Sequence, residues 1–118
     1  MLMYHGWADQ DIAPQASVNF YTNTRKLTTG TPDASWVRLF MVPGMQHCSG
    51  GEGPNTFDMM AAIEPWVEQN KAPERILASH VTSGKVDRTR PLCPYPQVAR
   101  YSGSGSIDDA ANFTCKTP

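Results

Sequence analysis

The sequence predicts an α/β fold in the order strand–loop–helix–strand–loop–helix, on three observations. Two short runs of strand-forming residues, Met1-Leu2-Met3-Tyr4-His5 and Trp36-Val37-Arg38-Leu39-Phe40-Met41-Val42, are closed by Gly6 and by Pro43-Gly44. Each is followed by a loop and then by a glycine-free stretch that reads as helix, over 15–27 and 57–70. Apolar residues on consecutive positions, without a polar face, mark strands buried on both sides in a parallel sheet, where neighbours need a crossover connection.

Each element has its own local reason. The first strand begins with apolar residues at once, so the chain reads as starting inside a sheet, as a fragment of a larger protein would. Pro14 suits the first turn of the first helix, where its missing N–H is no loss. A turn-rich link over 28–35 leads to the second strand, the strongest in the chain. A glycine-containing loop over 44–54 follows. In the second helix Met59, Ile63, Trp66 and Val67 fall on one apolar face. Pro65 lies inside it, and an interior proline costs about 3 kcal/mol, so a bend is expected near 62–64. A last short strand is expected over 76–81, and the tail, 82–118, reads as irregular and rich in Pro, Gly and Ser.

The 118 residues suit one domain, 1–118. Ten basic against eleven acidic side chains argue against nucleic acid or an anionic membrane as a partner. No apolar run approaches the ~18 residues of a membrane span. The three cysteines are an odd number, which in an oxidising compartment points to a free thiol or to a partner elsewhere. The alternative is three reduced, buried cysteines.

The candidate chemistry sits in the two loops that follow the strands. Parallel strands send both loops out at their carboxyl edge, where ligands bind in open α/β sheets. Asp9 and His47, 38 positions apart, are therefore expected to meet. A carboxylate beside an imidazole holds one ring N–H, fixes the tautomer and leaves the other nitrogen to take a proton from a nucleophile. In α/β-hydrolases Ser precedes Asp, which precedes His, and this chain has the last two in that order without a G-x-S-x-G. Ser49 lacks a strand-to-helix elbow. His5, His47, Cys48 and His80 lack the spacing of a zinc site, so no metal is expected. His5 reads as a structural residue that ends its strand, and His80 as surface or core.

Two long motifs carry a resemblance. His5-Gly6-Trp7-Ala8-Asp9, followed by Val42-Pro43-Gly44-Met45-Gln46-His47-Cys48-Ser49-Gly50-Gly51, resembles the tannase/feruloyl esterase family. So does the tail, Arg90-Pro91-Leu92-Cys93-Pro94-Tyr95-Pro96 through Tyr101, Gly103 and Gly105 to Asp109-Ala110-Ala111-Asn112-Phe113-Thr114-Cys115.

The resemblance implies the carboxyl-terminal βαβα part of an α/β-hydrolase catalytic domain. It implies Asp9 as triad acid and His47 as base, with Asp11 and Ile12 facing the substrate pocket. Cys48 would bridge to a cysteine outside this chain, next to the nucleophilic Ser. Cys93 would pair with Cys115, a closure worth roughly 3 kcal/mol in the chain-entropy model. The lid that carries the family's calcium is absent, so no cofactor is expected in this chain. The implied parent is a secreted or periplasmic serine esterase of phenolic or aromatic esters, of feruloyl, galloyl or terephthalate type. Its partners would be that substrate and the missing amino-terminal part of the domain with its lid. The rival expectations are an inactive remnant, a complementing subunit, or a small binding domain.

Overall fold

Strand β1 (Leu2–Gly6) lies parallel to β2 (Arg38–Val42), with Leu2 opposite Arg38 and Gly6 opposite Val42. Helix α1 (Pro14–Leu27) is the crossover between them, with Pro14 in its first turn as expected. The computed structural model describes residues 1–28 and 36–118, so the expected link over 28–35 lies, from 29 on, outside the described residues. The second strand begins two residues later than the sequence suggests, Trp36 being in a turn.

β2 explains why its sequence is apolar at consecutive positions. Val37, Leu39 and Met41 pack on one side, against Val18 and Tyr21 of α1. Phe40 and Val42 pack on the other, with Met45, Ile76, Ala78 and Leu92. Alternate side chains of a strand point to opposite faces, so one five-residue strand feeds two core clusters. Each fully buried side chain of this kind contributes about 1.5–3 kcal/mol.

Helix α2 (Met59–Gln69) is capped by the Asp58 carboxylate, which accepts from Ala61 N–H at 3.0 Å. It runs undivided through Pro65. The carbonyl that loses a donor there is that of Ala61, an exposed residue that water can reach. None of its residues is fully buried, and Val67 is 78% exposed, off the expected apolar face. Met59 and Ala62 touch the core cluster, and Trp66 lies beneath the Arg38 guanidinium.

The tail is not irregular, and that expectation is corrected. β3 (Ile76–Thr82) does not join β1 and β2; it pairs antiparallel with β4 (Lys85–Leu92). Ser83 and Gly84, both at positive φ (50° and 78°), make the tight turn. β5 (Val98–Tyr101) pairs antiparallel with β6 (Phe113–Lys116). Cys93 and Cys115 are joined by a disulfide. Tyr95 N–H bonds the Leu39 carbonyl at 2.7 Å, so the tail returns to the edge of β2 left open by β1.

Candidate active site

The two loops that follow β1 and β2 are sewn together by backbone. Trp7 N–H donates to the Val42 carbonyl at 2.9 Å, and Ala8 N–H to the Met45 carbonyl at 3.0 Å. Gly6 permits this approach, because a Cβ there would run into the carbonyl oxygens of Met45 and Gln46. The second loop turns back on itself through Gln46 N–H to the Gly50 carbonyl at 3.2 Å. Cys48 takes a left-handed φ of 62° in that turn, a conformation that costs a non-glycine residue about 1–3 kcal/mol.

That scaffold places Asp9 against His47. Asp9 Oδ1 accepts from the backbone N–H groups of Asp11 and Ile12, both at 2.9 Å. Oδ2 lies 2.9 Å from His47 Nδ1. The Asp9 side chain is 3% exposed and that of His47 45%. The Ile12 N–H, then His47 and the Asp11 N–H, hold the Asp9 carboxyl far below the usual carboxylate range. The Asp9 hydrogen bond and charge, with a smaller push from Asp11, raise His47 above its ordinary 6.5. An ionised carboxylate gives no proton, so Nδ1 of His47 carries the hydrogen. In the neutral ring Nε2 is then the basic nitrogen, on a half-exposed side chain. The arrangement can take up a proton at Nε2 and stabilise the resulting imidazolium.

The other expected residues divide. Asp11 and Ile12 serve the site through their backbone, and the Ile12 side chain is 51% exposed. Cys48 is exposed, with a free thiol. His80 lies elsewhere, bonded through Nδ1 to Asp87 Oδ1 at 2.7 Å, while Thr82 donates to Asp87 Oδ2 at 2.6 Å. His5 bonds nearby backbone, the Ile12 carbonyl at 3.2 Å, as its structural reading expects. It also lies 2.9 Å from Asp9 Oδ2, a contact that sequence reasoning missed. The four-residue spacing of His5 and Asp9 was the available signal, but it has meaning only once the loop folds back over the strand end.

Asp9, Asp11 and His47 each offer a ligand atom within 4.8 Å of one another, so these three could hold a cation. Asp9 already accepts from two backbone N–H groups and the His47 imidazole, and a cation would have to displace a donor. A cavity of about 660 Å³ is lined by Trp7, Met41, Arg90, Leu92, Tyr95 and Phe113 among others, and Asp9, Asp11, Ile12 and His47 are not in its lining.

A family model described as tannase and feruloyl esterase matches residues 1–116. Mono(2-hydroxyethyl) terephthalate hydrolase of Piscinibacter sakaiensis is 46% identical over 121 residues, spanning 100% of this chain and 20% of that protein. A probable feruloyl esterase of Arthroderma benhamiae is 34% identical over 120 residues, spanning 98% of this chain and 22% of its own. The crystal structure of feruloyl esterase B from Aspergillus oryzae superposes with a TM-score of 0.85 at 29% identity, over 98% of this chain and 26% of that one. The chain thus spans between a fifth and about a quarter of the length of these relatives.

Proposed function

The chain belongs to the tannase and feruloyl esterase family, and we propose that it is the carboxyl-terminal part, residues 1–118, of an α/β-hydrolase catalytic domain. The parent is a serine carboxylic-ester hydrolase of phenolic or aromatic esters of feruloyl, galloyl or terephthalate type. The observation that carries this reading is the 2.9 Å contact of Asp9 Oδ2 with His47 Nδ1 at the ends of adjacent parallel strands.

In this reading a Ser outside the chain attacks the ester carbonyl. His47 Nε2 takes its proton and gives it to the departing alcohol. Asp9 holds Nδ1–H and balances the imidazolium, and water then releases the acid through the same base. Cys48, beside the base, bridges to a cysteine next to that Ser. Asp11 and Ile12 border the substrate, and the amino-terminal part of the domain supplies the nucleophile, the oxyanion hole and the lid with its calcium. Exposed apolar side chains such as Leu27, Met60, Val67 and Leu77 support a larger body around this one. The Cys93–Cys115 disulfide supports a secreted or periplasmic parent.

Replacing the matching stretch of the Piscinibacter sakaiensis hydrolase with this chain tests the assignment. The graft is expected to hydrolyse mono(2-hydroxyethyl) terephthalate. Asp9→Ala or His47→Ala in the graft should lower kcat/KM by ~10³-fold or more, and His80→Ala should leave it unchanged. An active graft that His47→Ala does not slow would refute the reading. The 118-residue chain by itself should hydrolyse a 4-nitrophenyl ester at background rate. Activity above background that Ser49→Ala removes would place the nucleophile inside the chain instead.

A further inference from the structure

The cavity of about 660 Å³ is built by the tail against the end of β2 and the loop that follows it. Its size falls among those of small-molecule sites, about 300–1,000 Å³. Arg88, Arg90 and Leu92 alternate along β4 and so share one of its faces. Leu92 belongs to the core, while Arg88 and Arg90 are half-buried. Met41, Leu92, Tyr95 and Phe113 give the cavity apolar and aromatic walls, and Trp7 lines it with a half-exposed indole.

Two cations meet this apolar space, and they are not equivalent. Arg88 is satisfied: its Nε lies 3.5 Å from Asp108 Oδ1, and a terminal nitrogen donates to the Glu52 carbonyl at 3.2 Å. Arg90 donates to the Thr89 carbonyl at 2.8 Å, and its guanidinium carbon lies 4.1 Å from the centre of the Phe113 ring. Among the described residues it forms no ion pair. Burial, and then the Arg88 charge, press it below its ordinary 12.5, against a smaller pull from Asp108. A guanidinium carries five N–H donors in a fork that matches a carboxylate, and the Thr89 bond uses one of them.

We propose that this cavity binds an aromatic carboxylic acid, the carboxylate on Arg90 and the ring on the apolar wall. Asp9, Asp11, Ile12 and His47 do not line it, so it is a second site and not the place of ester cleavage. The chemistry selects the class. An inorganic anion answers the charge and leaves the apolar wall wet. A neutral aromatic covers the wall and leaves Arg90 without a counter-charge. A carboxylate joined to a flat ring meets both needs. Glu52 is the acidic side chain in the lining, and it is exposed, so solvent screens its opposition to an anion. Aromatic acids are what the esterase reading above has the parent release; that source for the ligand rests on the reading, and the fit of the cavity to the class does not.

The test is an NMR titration of the 118-residue chain with cinnamate. Cinnamate should bind with a Kd on the order of 1 mM, the affinity expected of so small a ligand. The shifts should centre on Arg90, Phe113 and the Trp7 indole. Cinnamamide, which has the same shape without the charge, should bind ~10-fold more weakly or worse, the loss expected for a hydrogen bond to a charged group. Arg90→Met keeps an apolar stem and should weaken cinnamate by the same factor. Arg90→Lys should recover part of it, because the charge returns without the fork. His47→Ala should leave the affinity for cinnamate unchanged. If Arg90→Met loses the folded amide spectrum, the comparison of acid with amide in the unaltered chain decides. An amide that binds as tightly as the acid overturns the proposal. So does a folded Arg90→Met with unaltered affinity, a set of shifts that centres on His47 and vanishes in His47→Ala, or no saturable shift at all by ~10 mM cinnamate. No ester is cleaved in this measurement, so its outcome is separate from that of the graft.

Discussion

β2 buries all of Leu39, Phe40, Met41 and Val42, whereas β4 carries Lys85, Asp87, Arg88, Thr89 and Arg90 and buries only Pro91 and Leu92. The parallel unit, β1–α1–β2, is held by apolar packing on both faces of one strand. The antiparallel hairpins are held by a two-residue turn, cross-strand pairs such as His80 with Asp87, the stacking of Arg90 on Phe113 at 4.1 Å, and a disulfide. The candidate site belongs to the first region. Asp9 and His47 hang from the ends of strands whose register is set by burial, so their separation is fixed by the core. The hairpins contribute to it indirectly, by closing the open edge of β2 and covering Phe40.

Three perturbations sharpen this contrast, beginning with the largest. Phe40→Ala removes a side chain with no exposed surface from the middle of the core and should cost about 3–5 kcal/mol in urea unfolding. Val86→Ala on the exposed part of β4 should stay within about 0.5 kcal/mol. Comparable losses at the two positions would dissolve the distinction between the regions.

Next is the disulfide. The Cys93→Ala/Cys115→Ala pair should cost about 3 kcal/mol, the loop-closure value for a 22-residue separation. Amide exchange should rise first in β5 and β6 and least in β1 and β2. A uniform rise would show that the disulfide supports the whole chain.

The smallest effect is the pH dependence of stability. Asp9 and Asp87 are lowered in the folded chain, so their contributions are present above the usual carboxylate range and fade as pH falls through their folded values. His47 is raised, so its contribution is complete below 6.5 and is lost as pH rises through its higher folded value. The urea midpoint should therefore decline on both sides of a plateau between about pH 4 and 6.5, the acid limb drawing on both regions and the alkaline limb on the site. Asp9→Asn should flatten the alkaline limb. An alkaline decline that survives this change would assign it to another group.

How much of this was legible in the sequence differs between the two regions for the same reason that their stability does. Consecutive apolar positions in β2 and a breaker-free stretch for α1 are local signals, and the elements lie where these signals put them, to within two residues. The juxtaposition of Asp9 with His47 followed from parallel topology. β4 carried no such signal, because charged side chains on an exposed hairpin look like those of a loop. Pro65 suggested a bend near 62–64; the helix runs undivided through it, and the carbonyl it orphans belongs to an exposed residue. For α2 the pattern placed Val67 on a buried face, yet this residue is exposed.

The sequence by itself determined the parallel strand–helix–strand unit, the two loops that bear Asp9 and His47, and the family motifs around them. Those features depend on side chains that are close in the chain, or on a topology with one outcome. The tertiary structure alone decided that the tail forms two hairpins, that it closes on the edge of β2, and that His5 comes up against the Asp9 oxygen on which His47 depends. Each of these is a contact whose partners are chosen by three-dimensional packing, and an approach of 2.9 Å between two side chains leaves no mark on the pattern of polar and apolar residues from which a sequence is read.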